Sequence, residues 1–388
     1  MSSSRPFAPD WDTTALGTPI DQIALHDATR RRCPVAHSEV FGWSLFRHED
    51  VSRVLHDPAT FSSAVSQHLA VPNGFDAPAH TEYRRIIDPY FSADSMSKIE
   101  PACRDVALDL LERLTIEDQT DVVRTLAEPF AVRAQCAFLR WPKEFHAPLN
   151  EWIHKNQEAI RSKDRQALAA VAFEFDGHIR NILAAHRKGR TDIAGPIVGQ
   201  LMMESVSGRP ITDDEIVSIL RNWTVGELAT ISACIGIVAH FLSERTALQS
   251  QLRASPDLLP AAIDEILRVC APLMTSRRVV ASPVTLGNRQ LCAGERVTLM
   301  WASANRDEHA FDNAGEFSLD RDPGKNLLYG AGIHVCPGAP LARLELRILF
   351  EELLARFEVS PVRAQPPTYA MYPAAGYSSL PLRLRHLL

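Results

Sequence analysis

Glycine is scarce in this chain: 18 of 388 residues, about 4.6% against a usual share of about 7%. That shortage argues against architectures built on glycine-rich turns. The 26 prolines, about 6.7% against about 5%, favour helices separated by rigid loops. There is no excess of basic charge: 41 Lys and Arg stand against 47 Asp and Glu, a net of −6. A whole-chain affinity for nucleic acid or an anionic membrane is not expected. No C-x-x-C occurs, and the seven cysteines are odd in number and widely scattered. They read as reduced thiols of a cytoplasmic protein. The N-terminal MSSSRPFAPDWD lacks an apolar run, so neither a signal peptide nor a membrane anchor is expected. The most apolar stretch, 228–242 (LATISACIGIVAHFL), is shorter than the roughly 20 residues of a membrane span. Internal repeats, low-complexity tracts and linkers are also missing. Residues 1–388 are therefore read as one large domain, against the two or three implied by about 150 residues per domain.

What is present is mostly helical periodicity. Apolar residues recur at helical spacing through 106–114, 126–138 and 167–185. Thr212 and Glu215 form a capping box, opening a helix that runs to about Arg245. Pro260 suits the first turn of another helix ending near Val269. Residues 278–286 and 297–301 alternate as strands do, and a last helix runs from about Ala339 to Phe357. The fold class is mainly α with a small β component.

The segment 329–338 (YGAGIHVCPG) gathers Gly330, Gly332 and Gly338 around Cys336. Such glycines permit positive φ and close backbone approach, which suits a loop folded under a flat ligand. Cys336 falls near the N-terminal end of the last helix, where free N–H groups and the dipole favour a thiolate. A thiolate is a strong axial donor to haem iron. His334 and Cys336 also admit zinc, although a structural zinc site needs four ligands and no second cluster is visible.

The pattern Tyr329-x-x-Gly332-x-His334-x-Cys336-x-Gly338 resembles the haem-thiolate loop of the cytochrome P-450 family. Glu265-Ile-Leu-Arg268 resembles that family's E-x-x-R element, and Arg321 matches the arginine placed before the cysteine loop. The resemblance implies a single P-450 fold with a long central helix over haem b. It assigns Cys336 as the iron ligand, and His80, Arg84, Arg278 and His334 as partners of the haem carboxylates. Glu265, Arg268 and Arg321 are its structural ion-pair network. Buried carboxylates need charge-assisted partners, and arginine supplies them bidentately.

Two positions depart from the family pattern. The central helix usually carries an acid immediately before a threonine. Here Ala229 precedes Thr230, and the acid, Glu227, lies one turn earlier on a shared face. Thr230 is expected to steady the oxygen and Glu227 to feed protons from solvent. Tyr329 replaces the usual phenylalanine, and its hydroxyl needs a partner.

The function implied is insertion of one oxygen atom from O2 into a small or medium hydrophobic molecule, with electrons from a separate ferredoxin or reductase. Segments 71–78 and 222–227 look like the bacterial branch often fused to a phthalate-dioxygenase-type reductase; without that reductase, either a separate ferredoxin system is expected to serve the chain or the chain is the haem part of a longer protein. A peroxygenase, a nicotinamide-dependent nitric oxide reductase and a non-catalytic haem protein remain alternatives. The resemblance places the substrate pocket between Ser66 and Asn73, at Val225 and Ala229, and near Met274. Arg343 and Arg347 are candidates for docking an acidic electron donor. A monomer is expected.

Overall fold

The longest element is a helix, Asp213–Ser243, whose start is the capping box read from the sequence. Thr212 Oγ1 accepts the Glu215 N–H at 3.3 Å, and the Glu215 carboxylate accepts the Thr212 N–H at 2.7 Å. Arg209 donates to the same carboxylate at 2.6 and 2.9 Å, and the Tyr83 hydroxyl donates to it as well. These bonds, Arg209 first, draw the Glu215 carboxyl down to about 2. At 1.5 Å per residue the 31 residues span about 46 Å. The helix is long and apolar enough to cross a bilayer, yet 56% of its most apolar window is buried within the fold. It packs against helices Glu128–Leu139, Arg165–Arg187, Leu259–Cys270 and Ala339–Arg356. It is a core helix, apolar on most sides because neighbours cover most sides.

The computed structural model describes residues 10–13, 19–66, 68–114, 119–162, 164–370, 372 and 375–387. Most of the N-terminal segment examined for a leader, and position 67 of the expected pocket loop, lie outside them. The periodic stretches coincide with helices Ala93–Glu112, Glu128–Leu139 and Arg165–Arg187, except that 113–114 lie beyond the first and 126–127 belong to a π-helical segment, Val123–Ala127, before the second. Pro260 occupies the first turn of Leu259–Cys270. The last helix, Ala339–Arg356, buries Leu346, Leu349 and Leu353 against Ala93–Glu112 and the central helix.

Five strands form the principal sheet, in the spatial order Val35–Ser38, Gly42–Leu45, Arg296–Met300, Thr275–Val280 and Phe61–Ser62. The strand expected over 278–286 is divided. Thr275–Val280 joins this sheet, whereas Val284–Leu286 forms a hairpin with Arg289–Leu291. Pro283, which cannot donate to a ladder, stands at the break. Trp301 begins a short helix, Trp301–Ala304, rather than ending a strand. One hydrophobic cluster extends from Val71 to Leu384 across the helices, and a second lies against the sheet.

Candidate functional site

The loop before the last helix is shaped by two of its three glycines. Gly330 and Gly332 sit at φ +74° and +66°. A Cβ on Gly332 would stand 2.1 Å from the Leu55 carbonyl oxygen, so only glycine fits against helix His48–His56. Gly338 has φ −78° and does not use the left-handed region, contrary to the expectation for all three. The Cys336 N–H donates to the Tyr329 carbonyl at 2.8 Å, closing the loop. Cys336 is an exposed residue, yet its thiol sits deep enough that burial pushes it up. Glu227 adds to that rise, while the Gly338 and Ala339 N–H groups and Arg84 pull it down. The helix terminus thus acts in the expected direction, but burial outweighs it. A cationic metal bound at this sulfur would supply what the terminus alone does not. No group of three His, Cys, Asp or Glu gathers as a metal site among the described residues, so the four-ligand set a structural zinc needs is not assembled around His334 and Cys336.

His80, His334 and Arg278 meet beside this loop. The two imidazole centroids lie 4.1 Å apart, and His334 Nε2 is 2.9 Å from Ser63 Oγ. Burial first, then His80 and Arg278, bring His334 down to about 4. Burial also lowers Arg278, whose Nη1 donates to the Arg277 carbonyl at 2.8 Å. His80 is buried with Nε2 lacking a partner. Asp76 and Asp88 are the acids acting on this group; the Asp76 carboxylate already accepts from Ser62 Oγ and the Ser63 N–H, and Asp88 pairs with Arg84 at 2.6 Å. One arginine and two imidazole N–H donors, with both neighbouring acids engaged, fit a further anionic group. Arg84 departs from its expected role: it donates to the carbonyls of Ile333 and Val335 at 3.0 and 2.8 Å and pairs with Asp88 at 2.6 Å. It clamps the cysteine loop instead of pointing an open guanidinium at a ligand.

Glu265, Arg268 and Arg321 come together as one network. Arg268 donates to Glu265 at 2.7 and 2.9 Å, and Arg321 donates to it at 2.7 Å. Arg268 is wholly buried and also donates to the carbonyls of Ala314 at 2.8 Å and Glu316 at 3.1 Å, and to that of Asn305. The helix Leu259–Cys270 is thereby tied to the coil that leads into the cysteine loop.

On the central helix, Gly226 and Ala229 are exposed although the helix runs through the core. A Cβ on Gly226 would meet nothing within 4 Å. Thr230, half-buried, borders the same open turn. Glu227 departs from the solvent-linked carboxylate expected: its Oε1 is buried without a hydrogen-bond partner, as are both carboxyl oxygens of Glu345 on the last helix. Burial raises both carboxyls. Glu345 escaped the sequence reading. Its signal was a carboxylate on the same helical face as Leu341, Ile348 and Leu349.

Val225 borders a recess of about 200 Å³ with Trp152, Ala172, Phe175 and Asn222. Met274 does not line an open space. It is 1% exposed and packs with Ala271, Ala302 and Ala375, whereas its neighbour Leu273 is 47% exposed. In the 66–73 loop, Val71 is wholly buried, and its carbonyl and N–H are bonded to Asn222 and Ser218. Tyr329 lies under the Arg343 guanidinium, 4.5 Å from the ring centroid, and burial raises its hydroxyl. Arg343 pairs with Asp264 at 2.9 Å, and Arg347 with Glu100 and Glu351 at 3.0 and 2.8 Å. Both cations expected on a docking face already have acidic partners.

A family model described as cytochrome P-450 matches residues 237–385. The chain is 30% identical over 359 residues to cyclomarin C epoxidase of Salinispora arenicola, covering 89% of this chain and 91% of that one. It is 30% identical over 354 residues to erythromycin C-12 hydroxylase of Saccharopolyspora erythraea, covering 87% and 88%. Among solved structures, a mutant of P-450 EryK in complex with erythromycin B superimposes with a TM-score of 0.85 at 27% identity, covering 95% and 97%.

Proposed function

The chain belongs to the cytochrome P-450 family, and from that premise we propose a cytoplasmic haem-thiolate monooxygenase acting on a small or medium hydrophobic molecule. The observation that carries this reading is a cysteine at a helix N-terminus, two residues from His334, which meets His80 and Arg278 in a largely buried donor cluster whose neighbouring acids are engaged elsewhere. Haem b fits that arrangement: Cys336 would hold the iron, and Arg278, His80 and His334 would hold the two carboxylates. When bound, haem supplies the activation of dioxygen and the oxidation of substrate.

The remaining work belongs to the chain's own groups. The recess at Val225, Trp152 and Phe175 offers an apolar surface that orients substrate and excludes water. Thr230 Oγ1, bordering the open turn of the central helix, accepts and passes a proton there. Glu227, one turn away, holds the proton that is passed. Arg84 fixes the loop that carries the thiol through the carbonyls of Ile333 and Val335. Electrons come from a separate ferredoxin or reductase.

The test is the reduced carbon monoxide spectrum, followed by turnover with a ferredoxin system and a panel of hydrophobic substrates. The haem-thiolate band and substrate-dependent electron uptake are expected. A spectrum without the band defeats the reading. Ala229 in place of the adjacent acid favours a second reading on the same fold, a peroxygenase or a nicotinamide-dependent nitric oxide reductase. Turnover with peroxide alone, or nitric oxide consumption with reduced nicotinamide alone, would select one of these.

A further inference from the structure

Aromatic rings in mutual contact lead from the cysteine loop towards the surface. The point a Cβ on Gly338 would occupy is 3.8 Å from Phe91 Cε1 and 3.9 Å from Cys336 Sγ, so ring and sulfur flank one glycine. Phe91 meets Trp223 of the central helix edge-to-face, with centroids 5.2 Å apart. Trp223 in turn lies 5.3 Å from Tyr90, and Phe138 packs on both Phe91 and Trp223. Phe91, Phe138 and Trp223 are buried, whereas Tyr90 is half-buried. Tyr90 and Phe91 belong to one turn, Asp88–Phe91, so a single short segment reaches both the cysteine and solvent.

Packing does not explain the choice of side chains. Trp223 Nε1 is buried without an acceptor, an unmet donor that a phenyl ring would avoid. Indole and phenol are instead the rings that give up an electron most readily. Electron transfer falls steeply with separation, and rings in contact leave no wide gap to cross. The other aromatic groups near the loop suit the task less well. Arg343 lies over Tyr329, 4.5 Å from the ring centroid, and a cation there opposes loss of an electron. Trp301 approaches Gly330 but touches no second ring among the described residues.

We propose that Trp223 and Tyr90 form an electron route from the surface to the Cys336 site, which quenches the site's oxidant when no substrate is there to take it. The inference rests on the haem-thiolate reading, and its co-reactant is hydrogen peroxide. Trp223 gives one electron across Phe91 to the oxidant formed from peroxide at the site. It is left as the indole cation radical, since its buried N–H has nothing to take the proton. Tyr90 refills Trp223 and releases its phenolic proton to water. Burial first, then Glu204, raises that hydroxyl to about 12, so the proton is present at neutral pH to be released. An external thiol then returns an electron to the phenoxyl radical, which takes a proton back from water. Two such passages supply two electrons, and with two protons from water they convert one peroxide into two water molecules. Without the route, the sulfur of Cys336 is left to be oxidised to sulfenic and sulfinic acid.

The test mixes haem-loaded protein with hydrogen peroxide, without substrate, and freezes it at once for electron paramagnetic resonance. A tyrosyl radical is expected in the wild type and in Tyr329→Phe, and is expected to be lost in Tyr90→Phe and in Trp223→Phe. Mass spectrometry of the same samples is expected to find more sulfinic acid at Cys336 in the last two. The proposal is overturned by a wild type with no tyrosyl signal, by wild-type signal in Tyr90→Phe or Trp223→Phe, by loss of the signal in Tyr329→Phe, or by equal Cys336 oxidation in all four forms. Tyr90→Phe removes only a hydroxyl, so should Trp223→Phe fail to fold, Tyr90→Phe and Tyr329→Phe decide. A wild type without the reduced carbon monoxide band sinks the monooxygenase reading and the route with it. A wild type with that band but no radical at Tyr90 sinks the route alone.

Discussion

A methyl group at position 332 would fall 2.1 Å from the Leu55 carbonyl oxygen, on a backbone held at φ +66°. Left-handed strain in a non-glycine residue costs about 1–3 kcal/mol, and the clash with unyielding backbone adds to it. Gly332→Ala is expected to lower the thermal midpoint and the haem retained on purification; wild-type values for both would show that the loop can move aside. Thr230 is argued differently, since nothing in its packing demands a hydroxyl. Thr230→Ala is expected to fold normally and to uncouple electron consumption from product. Measured as product per electron, an unchanged ratio would remove Thr230 from the proton path. At this scale the sequence was informative where geometry is local, as at Gly330 and Gly332. It misled where direction matters. Arg84 and Met274 have the expected types at the expected positions, yet one reaches for backbone carbonyls and the other for a small buried cluster.

Among elements, the central helix shows how an end can be fixed by charge. Arg209, Thr212 and Tyr83 all bind the Glu215 carboxylate and draw it down to about 2. A carboxyl lowered on folding stabilises above its unfolded value of roughly 4.3. That contribution is lost as pH falls through the folded value. Glu215→Gln is therefore expected to be less stable than wild type at pH 7, with a difference that shrinks between about pH 4 and pH 2. Thermal melts across that range check it; a constant difference would mean packing rather than charge. Glu345 works in the opposite sense. Its raised carboxyl stabilises at low pH, and that contribution disappears as pH rises through the folded value. The capping box and Pro260 were legible because they are short-range signals. The division of 278–286 was not, since which edge a strand joins depends on partners distant in sequence, here Arg296–Met300 and Arg289–Leu291.

For the molecule as a whole, the hydrophobic cluster that runs from Val71 to Leu384 dominates, with a second, smaller one against the sheet, and one cooperative unit is proposed. Far-ultraviolet dichroism and tryptophan fluorescence are expected to report one coincident unfolding transition; two separated transitions would divide the chain into independent units. Helical class and the order of the site motifs could be read from the sequence because each motif is a few residues long. Their assembly could not, since Glu265 with Arg321 and His80 with His334 are each joined only by the fold. The contact between Gly332 and Leu55 has a consequence of its own. Backbone set directly on backbone has no rotamers to adjust, so it behaves as a fixed stop. Helix His48–His56, which lends no side chain to the chemistry, thus serves as the gauge for how far the sulfur-bearing loop can advance, and mutations that tilt it will be felt first at Cys336.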